Sequence, residues 1–424
     1  MADVPFPRGV RDLMPNQALF RNELLSKIEK IYQRYGFLTI DTPTFESMKI
    51  LKAKNAIGED TKLLFELDNG ELGLRYDMTV SLARYVAMHS DIPQPFKRYY
   101  IGKAWRREEP QKLRYREFTQ ADVDIIGGDR APADAEILAV GAAALESIGM
   151  DYYVQINDRR FIDSVLESFG VKKDLFIEVI RIVDKLEKLG EDQIVALLKK
   201  LGLDNETVAR ISKFVNFLGG NEEKLTYLEG ILKDKSPVQE MRQVLQMLEL
   251  YKPKGEVEVE FSLMRGFDYY TGIVFEFKST DPKVRSTIAA GGRYDNLIGL
   301  YSGKTIPAVG VSLGIDRLLD LMNFSESQKY TYADVFVAYI KDKNYPYALK
   351  VANSFRSNGI PTDLNLAKRN ISNQLSYANS LRYKYVAIIG DEEEQQKKVK
   401  LRNLIDGEEQ ILGISDAADL IRRR

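Results

Sequence analysis

The chain has 424 residues and a formal net charge of −1, with 61 basic residues, 62 acidic residues, no cysteine and a single histidine, His89. The absence of cysteine excludes disulfides, thiolate metal sites and cysteine nucleophiles. One histidine excludes a multi-histidine metal centre and leaves carboxylates as the main metal-binding option. A serine hydrolase triad would depend wholly on His89. At roughly 100–200 residues per domain, the length predicts two or three domains.

The first residues, MADVPFPRGVRDLMP, contain no long apolar segment, so a secretory signal is not expected. No run approaches about 18 uninterrupted apolar residues, so no transmembrane helix is expected either. The lack of cysteine favours a reducing compartment. These features together predict a soluble cytoplasmic protein that makes no use of a membrane.

The N-terminal third combines one helix with several strands. Apolar side chains recur at helical spacing over residues 17–35, and Gly36 follows where such a helix would end. An extended stretch with Pro43 comes next. Strand-like segments then fill residues 63–127, and Asn69-Gly70 between the first two favours a hairpin turn.

Residues 160–250 change character, because their apolar residues follow a helical period and strand signals are few. This block is interpreted as a helical insertion. Strands resume at EVEVEFSLMRG and TGIVFEFK, followed by a glycine-rich turn. Beyond the polar segment 323–332, strand and helix patterns alternate, which predicts a small α/β domain with parallel strands.

The sequence has no G-x-G-x-x-G element after a strand, so phosphate binding would depend largely on arginine. A cluster of eight basic residues lies in residues 97–120 against three glutamates, Glu108, Glu109 and Glu117: Lys97, Arg98, Lys103, Arg106, Arg107, Lys112, Arg114 and Arg116. Two strands joined by this basic loop could hold a triphosphate or a nucleic-acid end. A solvated hairpin with surface ion pairs explains the cluster equally well.

The strand that follows alternates strictly. Gln120, Asp122 and Asp124 fall on one face, and apolar residues fall on the other. Arg75 and Asp77 likewise share a face in GLRYDMT. Acidic and amide groups beside an arginine cluster could bind a zwitterion next to a phosphate. The alternative is an ordinary sheet with one wet face.

Two further arginines occupy unusual positions. Arg265 continues the apolar face of Phe261 and Leu263, where a cation needs a carboxylate or a ligand phosphate as partner. Tyr269 and Tyr270 follow it; they could form the walls of a site or simply pack in the core. Arg317 lies near the first turn of a helix, which favours anions. A bound phosphate would explain that position, as would an ion pair with Asp316 or Asp320.

The ordered motifs GVRDLMP, TPTFE, LRYDMT, AWRREEPQKLRYREFTQADVDIIG, LMRGFDYYTGIVFEF, AAGGRYDNL and GVSLGIDRL resemble the histidyl-tRNA synthetases, which are class II aminoacyl-tRNA synthetases, in their archaeal and eukaryotic style. The resemblance covers about residues 5–160 and 255–424. It implies an α+β fold with a six- or seven-stranded antiparallel sheet, a catalytic domain over 1–325 including the 160–250 insertion, and an α/β anticodon-binding domain over 330–424. It also implies a homodimer, with Pro43 at the interface.

The resemblance also assigns roles to residues of this sequence. Asp77, Met78, Thr79, Arg106, Gln120, Asp124, Arg265, Tyr269 and Tyr270 would bind histidine, with Asp124 on the imidazole. Arg106, Glu108, Arg114, Phe118 and Arg317 would bind ATP, and Arg265, Arg106 and Arg317 would be catalytic. His89 receives no role. In the C-terminal domain, the residues near the expected anticodon face are Lys368, Arg369, Arg382, Lys384, Asn365, Asn370 and Tyr377.

The expected activity is ligation of histidine to its tRNA with ATP as the second substrate and Mg²⁺ held mainly through the ATP phosphates. The rival hypothesis is a histidine-sensing regulatory subunit of ATP phosphoribosyltransferase that resembles a synthetase but does not aminoacylate. Intact Arg106, Arg265 and Arg317 and a complete C-terminal domain oppose that alternative. A tRNA-binding sensor without activity is opposed only by the same arginines.

Overall fold

A computed structural model describes residues 6–53, 58–111, 113–264, 269–281, 286–322, 330–367 and 369–423. Contacts between Cα atoms divide the chain into two compact units, Met1–Arg11 with Leu24–Asn323 and Asp12–Glu23 with Phe324–Arg424. The strands in chain order are β1 (Leu38–Thr39), β2 (Phe45–Ser47), β3 (Glu66–Leu67), β4 (Leu72–Leu74), β5 (Phe96–Trp105), β6 (Glu117–Ile126), β7 (Tyr152–Asp158), β8 (Val257–Val259), β9 (Ile273–Ser279), β10 (Thr287–Arg293), β11 (Ala308–Gly314), β12 (Val335–Tyr339), β13 (Thr362–Leu364), β14 (Tyr385–Ile389), β15 (Lys398–Asn403) and β16 (Glu409–Gly413).

The helices in chain order are α1 (Pro15–Arg34), α2 (Met48–Leu51), α3 (Thr79–Met88), α4 (Arg130–Ser147), α5 (Arg159–Ser168), α6 (Phe176–Val183), α7 (Leu186–Leu189), α8 (Glu191–Lys200), α9 (Asn205–Val215), α10 (Asn221–Ile231), α11 (Ser236–Tyr251), α12 (Gly299–Ser302), α13 (Ile315–Leu321), α14 (Tyr345–Ser357), α15 (Ile371–Ser380), α16 (Asp391–Gln395) and α17 (Ile414–Arg423). Short 3₁₀ turns cover Gly58–Leu63, Asp68–Gly70, Lys173–Leu175 and Asp342–Asn344.

The first unit is built on a sheet whose eight described strands run in the order β1-β5-β6-β11-β10-β9-β7-β8. The six inner strands are antiparallel to their neighbours, while β1 and β8 join the two edges in parallel. Helix α4 packs on one face against β6, β10 and β11. The prediction of an antiparallel sheet flanked by helices is therefore confirmed, with short parallel strands added at its edges.

The Asn69-Gly70 hairpin is also confirmed. Strands β3 and β4 pair antiparallel, and Asp68, Asn69 and Gly70 between them all have positive φ. Asparagine and glycine tolerate this left-handed conformation, which the four-residue loop 68–71 between the paired Leu67 and Leu72 adopts.

The predicted insertion is helical throughout its described length, from α5 to α11, but it is not a separate body. Its buried residues belong to the same apolar cluster as the inner face of the sheet. Phe214 of α9 stacks on Phe261 just after β8, with ring centroids 4.5 Å apart. The insertion and the sheet therefore share one core.

Strand β8 ends at Val259, earlier than the sequence pattern indicates. Phe261 and Leu263 then enter two different apolar clusters, so the period of two does not continue through them. The prediction that both share a strand face with Arg265 is wrong for that pair, because the chain turns at Phe261 and Ser262. Arg265 itself lies outside the described residues.

The second unit contains a sheet with the described order β13-β12-β14-β15-β16. Strand β12 pairs in parallel with β13 and with β14, as predicted. The prediction of a parallel sheet is wrong for the last two strands, since β14, β15 and β16 are antiparallel to one another. Strands β15 and β16 are joined directly as a hairpin, which forces antiparallel pairing and which the strand–helix alternation does not indicate.

Candidate active site

A cavity of about 780 Å³ opens on the face of the large sheet opposite α4. Its described lining comes from β6, β9, β10 and β11, from the turn before α3, and from the loop between β5 and β6. The predicted site residues Asp77, Thr79, Arg106, Glu108, Arg114, Phe118, Gln120, Asp124, Tyr269, Tyr270 and Arg317 all line it. The structure thus brings together residues that are up to 240 positions apart in the sequence.

Strand β6 supplies the floor of this cavity through its alternation. Gln120, Asp122 and Asp124 line the cavity, whereas Ala121 and Val123 belong to the core beneath α4. The alternation predicted for this strand is confirmed. Because a strand places successive side chains on opposite faces, one stretch of sequence serves both the core and the site.

Asp77 is held at the start of α3. Its Oδ1 accepts hydrogen bonds from the backbone N–H groups of Thr79 and Val80, at 3.0 Å each, in the manner of a helix cap. Its Oδ2 is buried and accepts no hydrogen bond. Burial raises the pKa of Asp77, and the two backbone N–H groups and Arg106 only partly offset this. One carboxylate oxygen therefore remains open toward the cavity.

Each oxygen of Asp124 lies beside a protein group, although Oδ2 is buried without a hydrogen bond. Oδ2 forms an ion pair of 2.6 Å with Nη2 of Arg98, and Oδ1 accepts a hydrogen bond from the hydroxyl of Tyr294. Arg98 is 1% exposed. A Cβ on Gly310, the partner of Asp124 across β11, would stand 1.9 Å from Oδ1. Glycine at 310 is therefore required for this carboxylate to occupy its place.

Asp122 and Gln120 are less fully engaged. Nε2 of Gln120 donates to the Ser312 hydroxyl at 2.6 Å, while Oε1 of Gln120 accepts no hydrogen bond. The Asp122 carboxylate is hydrogen-bonded to Ser312, but its Oδ1 accepts nothing. Burial raises the pKa of Asp122 to about 7; the charges of Asp124 and Asp77 add to this, and Arg98 opposes it.

Ion pairs of the neighbouring residues in the GGRYDNL motif hold the backbone at Tyr294 in place. Arg293 is 1% exposed and forms ion pairs with Asp134 of α4 (2.6 Å) and with Asp295 (3.1 Å). Asp295 also accepts the backbone N–H of Ala308. These contacts anchor the residues on either side of Tyr294, so its hydroxyl reaches Asp124 from a fixed backbone.

Arg106 follows the end of β5, since the strand stops at Trp105. Its guanidinium lies 4.2 Å from the ring centroid of Tyr76 and 5.0 Å from that of Phe118, and its Nε donates to the Tyr76 carbonyl at 3.3 Å. Two aromatic faces and one carbonyl fix the orientation of the cation. Glu108 also lies in the loop between β5 and β6, so strand alternation does not relate its side chain to that of Arg106.

Much of the remaining basic cluster is paired with carboxylates, as the alternative interpretation of that segment expects. The ion pairs are Lys97–Glu136, Arg98–Asp124, Lys103–Glu117, Arg114–Glu108 and Arg116–Glu109. Arg75 is buried as well, and it donates to the carbonyls of Lys103 and Thr42. Ion pairing therefore accounts for much of the cluster, while its members Arg106 and Arg114 line the cavity; the phosphate-binding interpretation stays a prediction.

Arg317 lies on the same helix as Asp316 and Asp320. These two carboxylates accept from Arg11, at 2.9 and 2.5 Å, and Nη1 of Arg317 donates to the carbonyl of Thr287. The phosphate-binding interpretation of Arg317 stays a prediction. Arg11 is a residue that the sequence reasoning missed, although it lies in the GVRDLMP motif.

The same carboxylates connect α13 to the loop before β6. Asp316 accepts the backbone N–H of Thr119 at 2.6 Å, and Asp320 accepts the Tyr115 hydroxyl at 2.8 Å. Arg11 also stacks on the Tyr115 ring, 4.2 Å from its centroid. We call this group, Arg11, Tyr115, Asp316 and Asp320, the Arg11 cluster.

Other predicted positions have mixed outcomes. Tyr269 and Tyr270 line the cavity with ring centroids 4.9 Å apart. Met78 is 2% exposed in the turn before α3 and is not among the described residues that line the cavity, so its role stays a prediction. His89 caps the C-terminal end of α3, where Nδ1 lies 2.8 Å from the Tyr85 carbonyl, and takes no part in the cavity.

Within the second unit, several candidate RNA-contacting residues have structural partners. Asn370 caps α15, and the Asn365 side chain donates to the Ala367 carbonyl. Arg369 stacks over Tyr377, 4.5 Å from its centroid. Arg382 and Lys384 lie over Tyr330 and Tyr385, and Lys368 is outside the described residues.

No helix among the described residues is both long and apolar enough to cross a membrane. Nor do they contain a group of three or more histidine, aspartate or glutamate side chains placed to hold a metal ion.

Comparison with known proteins gives matches over nearly the whole chain. A family model described as Histidyl-tRNA synthetase matches residues 9–318, and one described as Anticodon binding domain matches residues 334–424. The chain is 38% identical to a histidine–tRNA ligase of Korarchaeum cryptofilum, covering 97% of this chain and 100% of that one. It is 36% identical to one of Aeropyrum pernix, with 98% and 97% covered.

A crystal structure of histidyl-tRNA synthetase from Nostoc sp. PCC 7120 matches with a TM-score of 0.87 at 28% identity, covering all of both chains. The antiparallel sheet and the cavity on its polar face, taken with these matches, define a class II aminoacyl-tRNA synthetase. Within that class, the chain belongs to the histidyl-tRNA synthetase family.

Proposed function

We propose that this protein is an enzyme that activates L-histidine with ATP and transfers it to the 3′ end of its tRNA. The observation that carries the proposal is the cavity itself. Its floor presents buried acceptor atoms on Asp77 and Gln120, and its rim presents the Arg106 guanidinium, fixed between two aromatic rings. An amino acid has an ammonium group for such a floor and a carboxylate for such a cation.

Histidine binds first through its α-ammonium, which donates to Oδ2 of Asp77 and Oε1 of Gln120. Both atoms are buried acceptors without a hydrogen bond, so each gains a donor that the protein does not provide. Tyr269 and Tyr270 border the imidazole. Thr79 forms the adjacent wall.

The histidine carboxylate then attacks the α-phosphate of ATP, forming histidyl-adenylate and releasing pyrophosphate. An ionised carboxylate needs no general base, so catalysis consists of positioning and of neutralising the charge that develops on phosphate. Arg106 acts on the α-phosphate and the carboxylate. Arg317, which also lines the cavity, acts on the γ-phosphate, and Arg265 is assigned the remaining catalytic contact by the resemblance alone.

Glu108, Arg114 and Phe118 surround the nucleotide. Phe118 already packs against the guanidinium of Arg106, and Glu108 pairs with Arg114 at 2.9 Å. Mg²⁺ would be held mainly by the ATP phosphates, since magnesium keeps most of its waters and needs few protein oxygens. Glu276 of β9 is a carboxylate in the cavity wall that could supply one; it accepts the hydroxyl of Thr287, whose carbonyl holds Arg317.

The terminal ribose hydroxyl of the tRNA attacks the adenylate in the second step. Residues 1–325 form the catalytic domain with its 160–250 insertion, and residues 330–424 bind the anticodon. RNA loops are recognised by stacking as well as by charge, and Tyr377 with Arg369 offers such a surface. The enzyme works as a cytoplasmic homodimer, with Pro43, which is exposed in the single chain, at the interface.

The test is ATP–pyrophosphate exchange with purified protein. We expect exchange with histidine and at least 10³-fold less with other amino acids. Arg106→Ala should reduce histidine-dependent kcat by about 10²–10³-fold, the cost of losing one donor that stabilises transition-state charge. Arg107→Ala is the matched control, since this neighbouring arginine is exposed and does not line the cavity.

Absence of histidine-dependent exchange would overturn the proposal. Histidine binding without exchange, measured by calorimetry, would instead favour the regulatory-subunit alternative. Equal activity of the two arginine variants would remove Arg106 from the mechanism.

A further inference from the structure

Thr287 lies at the start of β10, where a β-bulge changes the face to which its side chain belongs. Between Thr287 and Ala289 the strand gains one residue relative to β9, because these two residues pair with the adjacent positions 278 and 277. Ile288 and Ala289 belong to the apolar cluster beneath α4. Strict alternation from Ala289 would place Thr287 in that cluster as well. The bulge instead places Thr287 in the lining of the cavity.

Thr287 contacts two charged side chains of the cavity lining through two different atoms. Its hydroxyl donates to Oε2 of Glu276 at 2.8 Å, and its backbone carbonyl accepts from Nη1 of Arg317. Nζ of Lys278 lies 4.0 Å from the same Oε2. Glu276 and Arg317 both line the cavity. One residue therefore connects the carboxylate on β9 to the arginine on α13.

The contact with Arg317 follows from the way two strands end. Pairing of β10 with β11 begins at Ala289 and Leu313, so Thr287 precedes that ladder. Helix α13 starts at Ile315, directly after β11, and carries Arg317 in its first turn. The carbonyl of Thr287 accepts from this helix. The register of the sheet therefore fixes the arginine and its acceptor together.

A phosphate gains from a guanidinium only while that cation is directed at it, and a carboxylate that turns towards the phosphate repels it. Arg317 and Glu276 line one cavity, so the orientation of both affects a triphosphate bound there. The Thr287 hydroxyl gives Glu276 a fixed donor, and the Thr287 carbonyl gives Arg317 a fixed acceptor. Charged groups that are oriented in advance need less reorganisation when the ligand binds.

We infer that Thr287 is a positioning residue for ATP, which holds Arg317 in place for the γ-phosphate and fixes the orientation of the Glu276 carboxylate. The inference rests on the proposed function, because it takes the contact between Arg317 and the γ-phosphate from there. Thr287 acts through the two charged side chains and contacts no reacting atom.

The experiment removes the hydroxyl and keeps the branched shape and the backbone carbonyl. In Thr287→Val, the Kd for ATP, measured by calorimetry, should rise by about tenfold, as expected for a lost hydrogen bond to a charged group. The Kd for ADP should change less than about twofold, because ADP has no γ-phosphate for Arg317 to bind. Thr287→Ser retains the hydroxyl, so its Kd for ATP should stay within about twofold of wild type.

Exchange kinetics provide a second readout. In Thr287→Val, the KM for ATP should rise by about tenfold while the KM for histidine changes less than about twofold. In an Arg317→Met background, Thr287→Val should raise the KM for ATP little further, since residues that act through one contact are non-additive. Thr287→Ala gives a second variant should the valine protein fail to fold, and circular dichroism establishes that each protein is folded.

Thr362→Val is the matched control. Thr362 is likewise the first residue of a strand, β13, and is half-buried. It donates its hydroxyl to the Ile360 carbonyl at 2.9 Å. It belongs to the second unit and does not line the cavity, so the Kd for ATP and both KM values should stay unchanged.

An unchanged Kd for ATP in Thr287→Val, or equal weakening of ATP and ADP binding, would overturn the inference. So would weak ATP binding by Thr287→Ser, or additive effects of Thr287→Val and Arg317→Met. Failure of the proposed function is distinct, because wild-type protein would then show no histidine-dependent exchange. The comparison of ATP with ADP binding would still decide the role of Thr287 in that case.

Discussion

At the scale of single residues, the site is defined by which polar groups the protein leaves without partners. Asp124 and Asp122 are chemically identical and two positions apart on one strand, and each keeps one buried oxygen without a hydrogen bond. They differ in their neighbours on other strands, namely Arg98 and Tyr294 for Asp124 and Ser312 for Asp122. The cross-strand neighbours therefore decide how each carboxylate is held.

The raised pKa of Asp122 predicts a pH-dependent stability. Burial raises this pKa to about 7, against about 3.9 in an unfolded chain. Between these values the folded state binds more protons, so the free energy of unfolding falls as pH rises. Asp122→Asn removes this contribution. Its free energy of unfolding, relative to wild type, should rise by up to about 1 kcal/mol per pH unit between pH 5 and 7.

Urea denaturation of both proteins at pH 5, 6 and 7 without histidine measures the effect. Other titrating groups are common to both proteins, so their contributions cancel in the difference between the two free energies of unfolding. Asp134 is one of these groups, since burial also raises its pKa to about 7. A difference between the two proteins that does not vary with pH would contradict the prediction.

Much of what the sequence predicts about single residues comes from the alternation of side chains along strands and from turn preferences. The polar face of β6 and the hairpin at Asn69 depend only on side-chain alternation and on left-handed backbone preferences, which are local properties. Arg98 and Tyr294 were missed because their partners lie on other strands. A correct pairing of β5 with β6 would have placed Arg98 opposite Asp124, and this pairing depends on the conformation of the loop at 106–116.

At the scale of elements, the Arg11 cluster ties three segments together: the N-terminal GVRDLMP motif, the loop before β6 and helix α13. One guanidinium bonds two carboxylates of α13 and stacks on Tyr115. Burial and the Asp320 carboxylate raise the pKa of Tyr115 to about 12, so its hydroxyl stays a donor. The loop that carries Glu108 and Arg114 is thereby fixed relative to the helix that carries Arg317.

Removing this link should affect nucleotide use more than histidine use. We expect Arg11→Met to raise the KM for ATP in the exchange reaction by about tenfold, since a partly buried charged contact is worth roughly 1–3 kcal/mol. The KM for histidine should change less than twofold. The measurement is exchange kinetics with each substrate varied in turn.

Arg8→Met is the control, because Arg8 is 77% exposed and forms a surface ion pair with Glu109. Tyr115→Phe combined with Arg11→Met should be non-additive, as expected for residues in contact. Additive effects, or an increase confined to the histidine KM, would show that the cluster does not support the nucleotide side.

At the scale of the whole molecule, the insertion is part of the core of the first unit. The sequence indicated its helices but not its packing, because the contact surface is made of apolar residues that resemble any amphipathic helix. Phe214 stacks on Phe261 and lies within 6.5 Å of Phe169, joining α9 to the end of β8. Loss of packing in the insertion should therefore weaken the sheet as well.

Phe214→Ala should lower the free energy of unfolding by about 3–5 kcal/mol, the usual cost of truncating a buried aromatic residue. Histidine-dependent exchange should be lost at the same temperature as helical circular dichroism. Leu218→Ala in the same segment should be close to neutral, because Leu218 is 91% exposed. Exchange activity that persists above the helical transition would show that the insertion folds separately.

The pairing of β6 with β11 has a consequence for the chain during synthesis. About 180 residues, including the whole insertion, separate these neighbouring strands. During translation, one edge of β6 therefore stays unpaired until β11 leaves the ribosome. Exposed strand edges invite association with other chains, and charges along them discourage it. Asp122 and Asp124 lie on this temporarily exposed strand. The carboxylates that line the cavity of the folded protein therefore also oppose pairing of the open strand edge with another chain.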